Sequence, residues 1–118
     1  MSFFTYKQNE QFNGFMRNKH VNEWVIVEAD SAEEANRFAD AEAGLYFNGC
    51  FKDLDHPDDG DRWSIAIESD ADPVPMIYDV ELTDDMELAG FYQARTNPFV
   101  NCYVYFKDGR RKSYNVDL

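Results

Sequence analysis

Residues 50–62 read Cys-Phe-Lys-Asp-Leu-Asp-His-Pro-Asp-Asp-Gly-Asp-Arg, the densest run of potential ligands in the chain. Carboxylates crowded into a loop point first to a hard cation held by oxygens. The calcium loop of an EF-hand needs oxygen ligands at its first, third and fifth positions and glycine at its sixth. Counted back from Gly60, those positions fall on Asp55, Pro57 and Asp59, and the proline has no side-chain oxygen to give. Two looser sites stay open, a cation held by Asp53, Asp55, Asp58, Asp59 or Asp61, and a composite of Cys50, His56 and Cys102. Neither has the short ligand spacing of a zinc site, so no metal and no cofactor is expected. Nucleophilic chemistry fares no better. There is no Gly-x-Ser-x-Gly elbow, and His20 and His56 have no evident serine or cysteine partner. Acids are plentiful enough that a carboxylate pair for proton transfer has no distinguishing mark, and the expectation is a protein that is not an enzyme.

Carboxylates also act collectively. The chain carries 23 Asp and Glu against 11 Lys and Arg, a formal charge of -12. Nearly all of the excess lies between residues 28 and 72, where fourteen acids face only Arg37, Lys52 and Arg62. Those acids, Glu28, Asp30, Glu33, Glu34, Asp40, Glu42, Asp53, Asp55, Asp58, Asp59, Asp61, Glu68, Asp70 and Asp72, are the candidate partner-binding residues. Such a field repels phosphate backbones, so direct nucleic-acid binding is not expected. It attracts basic protein surfaces and speeds encounter with them at low salt. Carboxylates repeated on a rigid surface can imitate the phosphates of a duplex and fill a basic groove. The bland alternative is that the acidity only keeps an aromatic-rich protein soluble.

The elements that must position these acids follow from pattern. At 118 residues the chain fits one domain. Residues 3–7 and 21–28 read as strands, the second apolar enough to be buried on both faces. Ser31 followed by Glu34 matches a capping box, opening a helix over about 31–43 that Gly44 stops. Ala32, Ala35, Ala39 and Ala43 give that helix a small-residue face for a sheet, with Asp40 and Glu42 on the wet side. Alternation over 62–68 predicts a strand with Trp63, Ile65 and Ile67 inside, and 83–88 suits a helical turn. A C-terminal hairpin is expected from 100–107 and 110–116, with Asp108-Gly109 as a type I′ turn. Arg110, Arg111 and Lys112 then put positive charge on a sheet edge, which discourages aggregation. The fold class is therefore α+β, a small antiparallel sheet of about four to six strands with one main helix packed on it. Cys50 and Cys102 read as half-buried thiols in a reducing compartment. No apolar run reaches the roughly 20 residues a membrane helix needs, and the first residues lack the marks of a secretory signal. The ten Phe, seven Tyr and two Trp exceed what one small core uses, which is compatible with a homodimer.

Three blocks together, Phe4-Thr5-Tyr6-Lys7-Gln8-Asn9, then residues 25–36 (Val-Ile-Val-Glu-Ala-Asp-Ser-Ala-Glu-Glu-Ala-Asn), then Gly44-Leu45-Tyr46-Phe47-Asn48-Gly49-Cys50 leading to Gly60-Asp61-Arg62-Trp63, resemble an uncharacterised family of small tailed-bacteriophage proteins. Members of that family often carry extra cysteines between the last two blocks, suggestive of a metal knuckle. Here the interval holds Asp53, Asp55, His56 and Asp58 instead. The resemblance implies a phage protein in the cytoplasm of an infected bacterial host. Small acidic proteins of that setting often block a host or defence enzyme that handles nucleic acid. The expected function is thus an inhibitor, anti-CRISPR-like or a DNA mimic, that occupies a basic surface. A cation-binding or housekeeping phage protein with an incidentally acidic surface is the alternative.

Overall fold

A computed structural model describes residues 1–9, 14, 15, 17, 20–45, 63–87 and 100–116. In chain order these form β1 (Ser2–Lys7), β2 (Trp24–Ala29), α1 (Ala32–Phe38), β3 (Met76–Ile77), β4 (Val80–Glu81), β5 (Cys102–Tyr105) and β6 (Arg111–Tyr114). The sequence of β2, Trp-Val-Ile-Val-Glu-Ala, is apolar without alternation and demands cover on both faces. It lies inside a four-stranded sheet of order β1-β2-β5-β6. One face packs Phe4, Val25, Val27 and Tyr103 under the alanines of α1, with Trp63 and Ala66 beside them. The other packs Trp24, Ile26, Cys102 and Val104 against Ile77 and Leu82 from the β3–β4 side.

The α+β expectation holds, but the sheet is mixed. β1 pairs antiparallel with β2, and β6 with β5, whereas β2 and β5 run parallel with Trp24 beside Cys102 and Val27 beside Tyr105. The long connection through α1 and the β3–β4 hairpin brings the chain back to the same end of the sheet, which a tight turn cannot do. Cys102 is fully buried rather than half-buried.

The helix begins as its cap dictates, with Ser31 Oγ accepting from the Glu34 amide at 3.1 Å. The reciprocal half of the box is displaced by one residue, since the Glu34 carboxylate accepts from the amide of Asp30 at 3.3 Å. After Phe38 the coil widens into a π turn over Ala39–Ala43, which Gly44 ends at φ 74°, a left-handed conformation suited to glycine. Ala32, Ala35, Ala39 and Ala43 are all buried, as their spacing requires.

The strand expected over 62–68 does not form. Residues 63–67 are irregular, with Trp63 and Ala66 inside while Ile65 and Ile67 stay 54% and 55% exposed. A side chain replaces the missing ladder. Asn36 of α1 donates to the Ala66 carbonyl at 3.0 Å and accepts from the Ala66 amide at 2.9 Å, imitating a strand neighbour. Its oxygen also accepts from the Tyr6 hydroxyl at 2.7 Å, tying helix, segment and β1 together. The expected turn at 83–88 is a 3₁₀ turn over Asp84–Met86.

The C-terminal hairpin forms, with a different turn. The Gly109 amide bonds the Phe106 carbonyl at 3.0 Å, and Phe106 N–H bonds Arg110 at 2.9 Å. Gly109 sits at φ 96° while Asp108 keeps a negative φ, which makes a type I turn closed by a glycine bulge rather than type I′. Asn36→Ala would strand the Ala66 backbone groups and remove the bond from the Tyr6 hydroxyl to the helix. The expected loss is about 2–3 kcal/mol of stability, read from urea unfolding. A loss below about 0.5 kcal/mol would mean that residues 63–67 are held by something else.

Candidate functional site

Of the fourteen acids singled out by sequence, Asp53, Asp55, Asp58, Asp59 and Asp61 lie outside the described residues, as does the loop at 49–61 with Cys50 and His56. The other nine fall in three places. Glu28, Asp30 and Glu34 converge on Lys107 in the β5–β6 turn. The Lys107 amide donates to Glu28 at 3.0 Å, and its ammonium reaches Asp30 at 2.6 Å and Glu34 at 2.7 Å. Hydrogen bonding to Lys107 holds the carboxyls of Asp30 and Glu34 below their ordinary values. These three acids are thus engaged within the fold.

Glu33, Asp40 and Glu42 point outward along the helix and its π turn, where Arg37 stands 3.7 Å from Glu33. Glu68, Asp70 and Asp72 form the third group, beside the start of α1 and the outer edge of β1. Glu68 accepts from the Ala32 amide at 2.6 Å, Asp70 accepts from Ile67 at 3.0 Å, and Asp72 exchanges backbone bonds of 2.8 and 2.9 Å with Phe3. This group belongs to a segment with no counter-charge of its own. Residues 63–87 contain eight acids and no Lys, Arg or His. Among the described residues only Glu87 of these eight has an ion pair, to Lys112 at 3.3 Å. The other described ion pairs place Arg17, Arg37, Lys107 and Arg110 on acids outside that segment. The Asp72 carboxyl is pushed above its ordinary value by partial burial and then by the negative charges of Asp70 and Asp79.

The outer edge of β1 opens into a cleft of about 580 Å³ between residues 64–72 and the β3–β4 hairpin. Asp70 and Asp72 stand on its rim with the apolar side chains of Ile65 and Met76, and Trp24 and Tyr78 form an aromatic corner. The two rings meet edge to face at 5.4 Å between centroids. Tyr78 is 68% exposed and holds φ 54°, the one positive φ outside glycine among the described residues. It occupies the first position of the two-residue β3–β4 turn, between the paired residues Ile77 and Val80, where glycine is the unstrained choice. Lys7 reaches into the same corner, its ammonium 3.4 Å from the Tyr78 hydroxyl and 5.8 Å from the Trp24 ring centre.

Sequence reasoning missed Lys7, Trp24, Tyr78, Asn36 and Lys107. Trp24 and Lys7 face each other across the β1–β2 pair, which register alone reveals. Nothing local marks Ile-Tyr-Asp-Val as a hairpin, because its turn lacks glycine. The basic run at 110–112 does lie on an edge, β6, where Arg111 covers the Tyr103 and Tyr105 rings at 4.8 and 4.7 Å.

What the cleft offers chemically is carboxylate charge beside an aromatic pair. Among the described residues no group of three or more His, Cys, Asp or Glu is placed to hold a metal ion. Burial pushes the Cys102 thiol well up, leaving it a poor nucleophile. Among the described residues no helix is long and apolar enough to cross a membrane. The chain belongs to the family described as a domain of unknown function (DUF7296), which matches residues 1–118. No curated protein and no solved structure matches it.

The Lys107 cluster has a defined pH signature. Carboxyls depressed in the folded state stabilise it above their unfolded values, and that contribution disappears as pH falls through the folded ones. Replacing Lys107 with Gln should therefore lower the urea midpoint at pH 7 and leave it nearly unchanged at about pH 2, below the ordinary carboxylate range. An equal effect at both pH values would show that Lys107 acts by packing.

Proposed function

We propose that this member of a family without an assigned activity is an acidic binding protein that occupies a basic surface on a host or defence protein that handles nucleic acid. It would inhibit that protein in the manner of a DNA mimic or an anti-CRISPR. The observation that carries this reading is segment 63–87, with eight acids, no base of its own and, among the described residues, a single ion pair at Glu87. Glu68, Asp70 and Asp72 present that charge beside the first turn of α1. The 1.5 Å rise per residue separates Asp40 and Glu42 from that turn by roughly 10–15 Å. The acids therefore extend over a surface rather than gathering at one point, which suits a groove lined with lysine and arginine more than a single ion. Glu28, Asp30 and Glu34 contribute to the field but already hold Lys107. The phage setting rests on the resemblance of residues 4–63 and supplies the bacterial cytoplasm as the place of action.

A partner captured from bacterial lysate should be a basic protein that loses its own nucleic-acid binding when saturated with this chain. The affinity should fall on the order of tenfold between about 50 and 300 mM salt. A complex indifferent to salt, or one in which the partner still binds nucleic acid normally, would contradict the inhibitor reading.

A further inference from the structure

The cleft beside β1 has features that bulk acidity does not explain. Solubility requires neither a strained tyrosine that is mostly in solvent nor an isoleucine 54% exposed on the facing wall. A backbone held at φ 54° by a residue other than glycine costs stability, and such outliers concentrate where function needs a side chain in a set place. The floor of the cleft is a sheet edge. Phe3 gives both its backbone groups to Asp72, so the two-residue period of the strand aims those of Thr5 and Lys7 to the same outer side. Thr5 and Lys7 also line the cleft. Backbone donors and acceptors, an aromatic corner and a carboxylate rim therefore meet in one opening. The fold already places a cation there, because the Lys7 ammonium lies over Trp24 and against the Tyr78 hydroxyl.

We propose that this cleft seats an extended, arginine-bearing segment of the basic partner, the guanidinium lodging between the Trp24–Tyr78 corner and the carboxylates of Asp70 and Asp72. Arginine fits better than lysine because its planar, weakly hydrated head stacks on aromatic rings while forking onto a carboxylate. The segment's backbone continues the line of Asp72 along β1, as a strand added to an open edge. Lys7 is then an internal stand-in that the arriving guanidinium displaces. The negative charge of Asp79, felt at Asp72, deepens the attraction. This inference rests on the proposed binding to a basic surface and specifies where on the molecule it occurs.

The test is a nuclear magnetic resonance titration of the full chain with a capped Gly-Arg-Gly-Arg-Gly peptide, and with its lysine and citrulline counterparts, at low salt. Shifts should centre on Thr5, Lys7, Trp24 and Tyr78, with arginine binding tighter than lysine and citrulline not binding. Asp72→Asn and Tyr78→Gly should each weaken binding by about threefold to fivefold, and Lys7→Met should strengthen it. Tyr78→Gly exchanges a ring contact for relief of backbone strain, so its melting temperature should stay within about 4 °C of the parent. Should it unfold, Asp72→Asn and Lys7→Met carry the test. If Glu33→Gln, Asp40→Asn and Glu42→Gln together abolish binding while the cleft variants bind as the parent does, the cleft assignment is overturned and the acidic-surface reading stands. Equal binding of the citrulline peptide, or no binding of either cationic peptide, overturns both.

Discussion

The charge distribution of this protein is set by where its few cations are tied down. Five of the basic residues among those described are in ion pairs, and four of the five pair with acids outside residues 63–87. Lys107 alone holds the charged side chains of Asp30 and Glu34. Arg111 lies over two tyrosine rings on β6, and Lys7 over Trp24 on β1. These contacts pin the β5–β6 turn to the head of α1 and cover the sheet edge at β6. They leave the acids from Glu68 to Asp85 without a described counter-ion. The asymmetry is a consequence of the fold as much as of composition. A similar net charge with a base near Asp72 would produce a different surface.

That asymmetry depends on the scaffold. β2 is buried on both faces and carries β1 on one edge and β5 on the other. Because β5 is parallel to it, the chain must cross over, and residues 63–87 are part of that crossover. Asn36 fixes the path of the crossover by pairing with the backbone of Ala66, and the Phe3–Asp72 bridge fixes its exit along β1. The cleft lies between the segment those two attachments hold and the β3–β4 hairpin.

The parts legible in the sequence were those set by local chemistry. Ser31, Gly44 and the alanine spacing located the helix, and the apolar run from Trp24 identified the inner strand. The C-terminal hairpin followed from alternation and Asp108-Gly109, although its turn type did not, because a bulge shifts which residue takes the left-handed conformation. Residues 62–68 misled for a physical reason. Their alternation fits a strand, but an asparagine side chain from α1 supplies the pairing, and Ile65 and Ile67 turn outward. The parallel direction of β5 and the gathering of Glu28, Asp30 and Glu34 on Lys107 are long-range facts with no local signature. So is the aromatic corner, which joins residues from β1, β2 and the β3–β4 turn. What the sequence did convey about the candidate surface was the sign and rough position of the charge, and the structure divides the nine described candidate acids into engaged and unengaged groups.

The most direct measurement of this account is the ionisation of Asp72, followed by carbon-detected titration of its carboxyl at several salt concentrations. An uncompensated rim predicts a value above the ordinary one of about 3.9, with part of the excess removed by added salt and by Asp70→Asn. A value at or below the ordinary one, insensitive to both, would show that a cation of the chain already neutralises this edge, and the proposed binding face would have no basis.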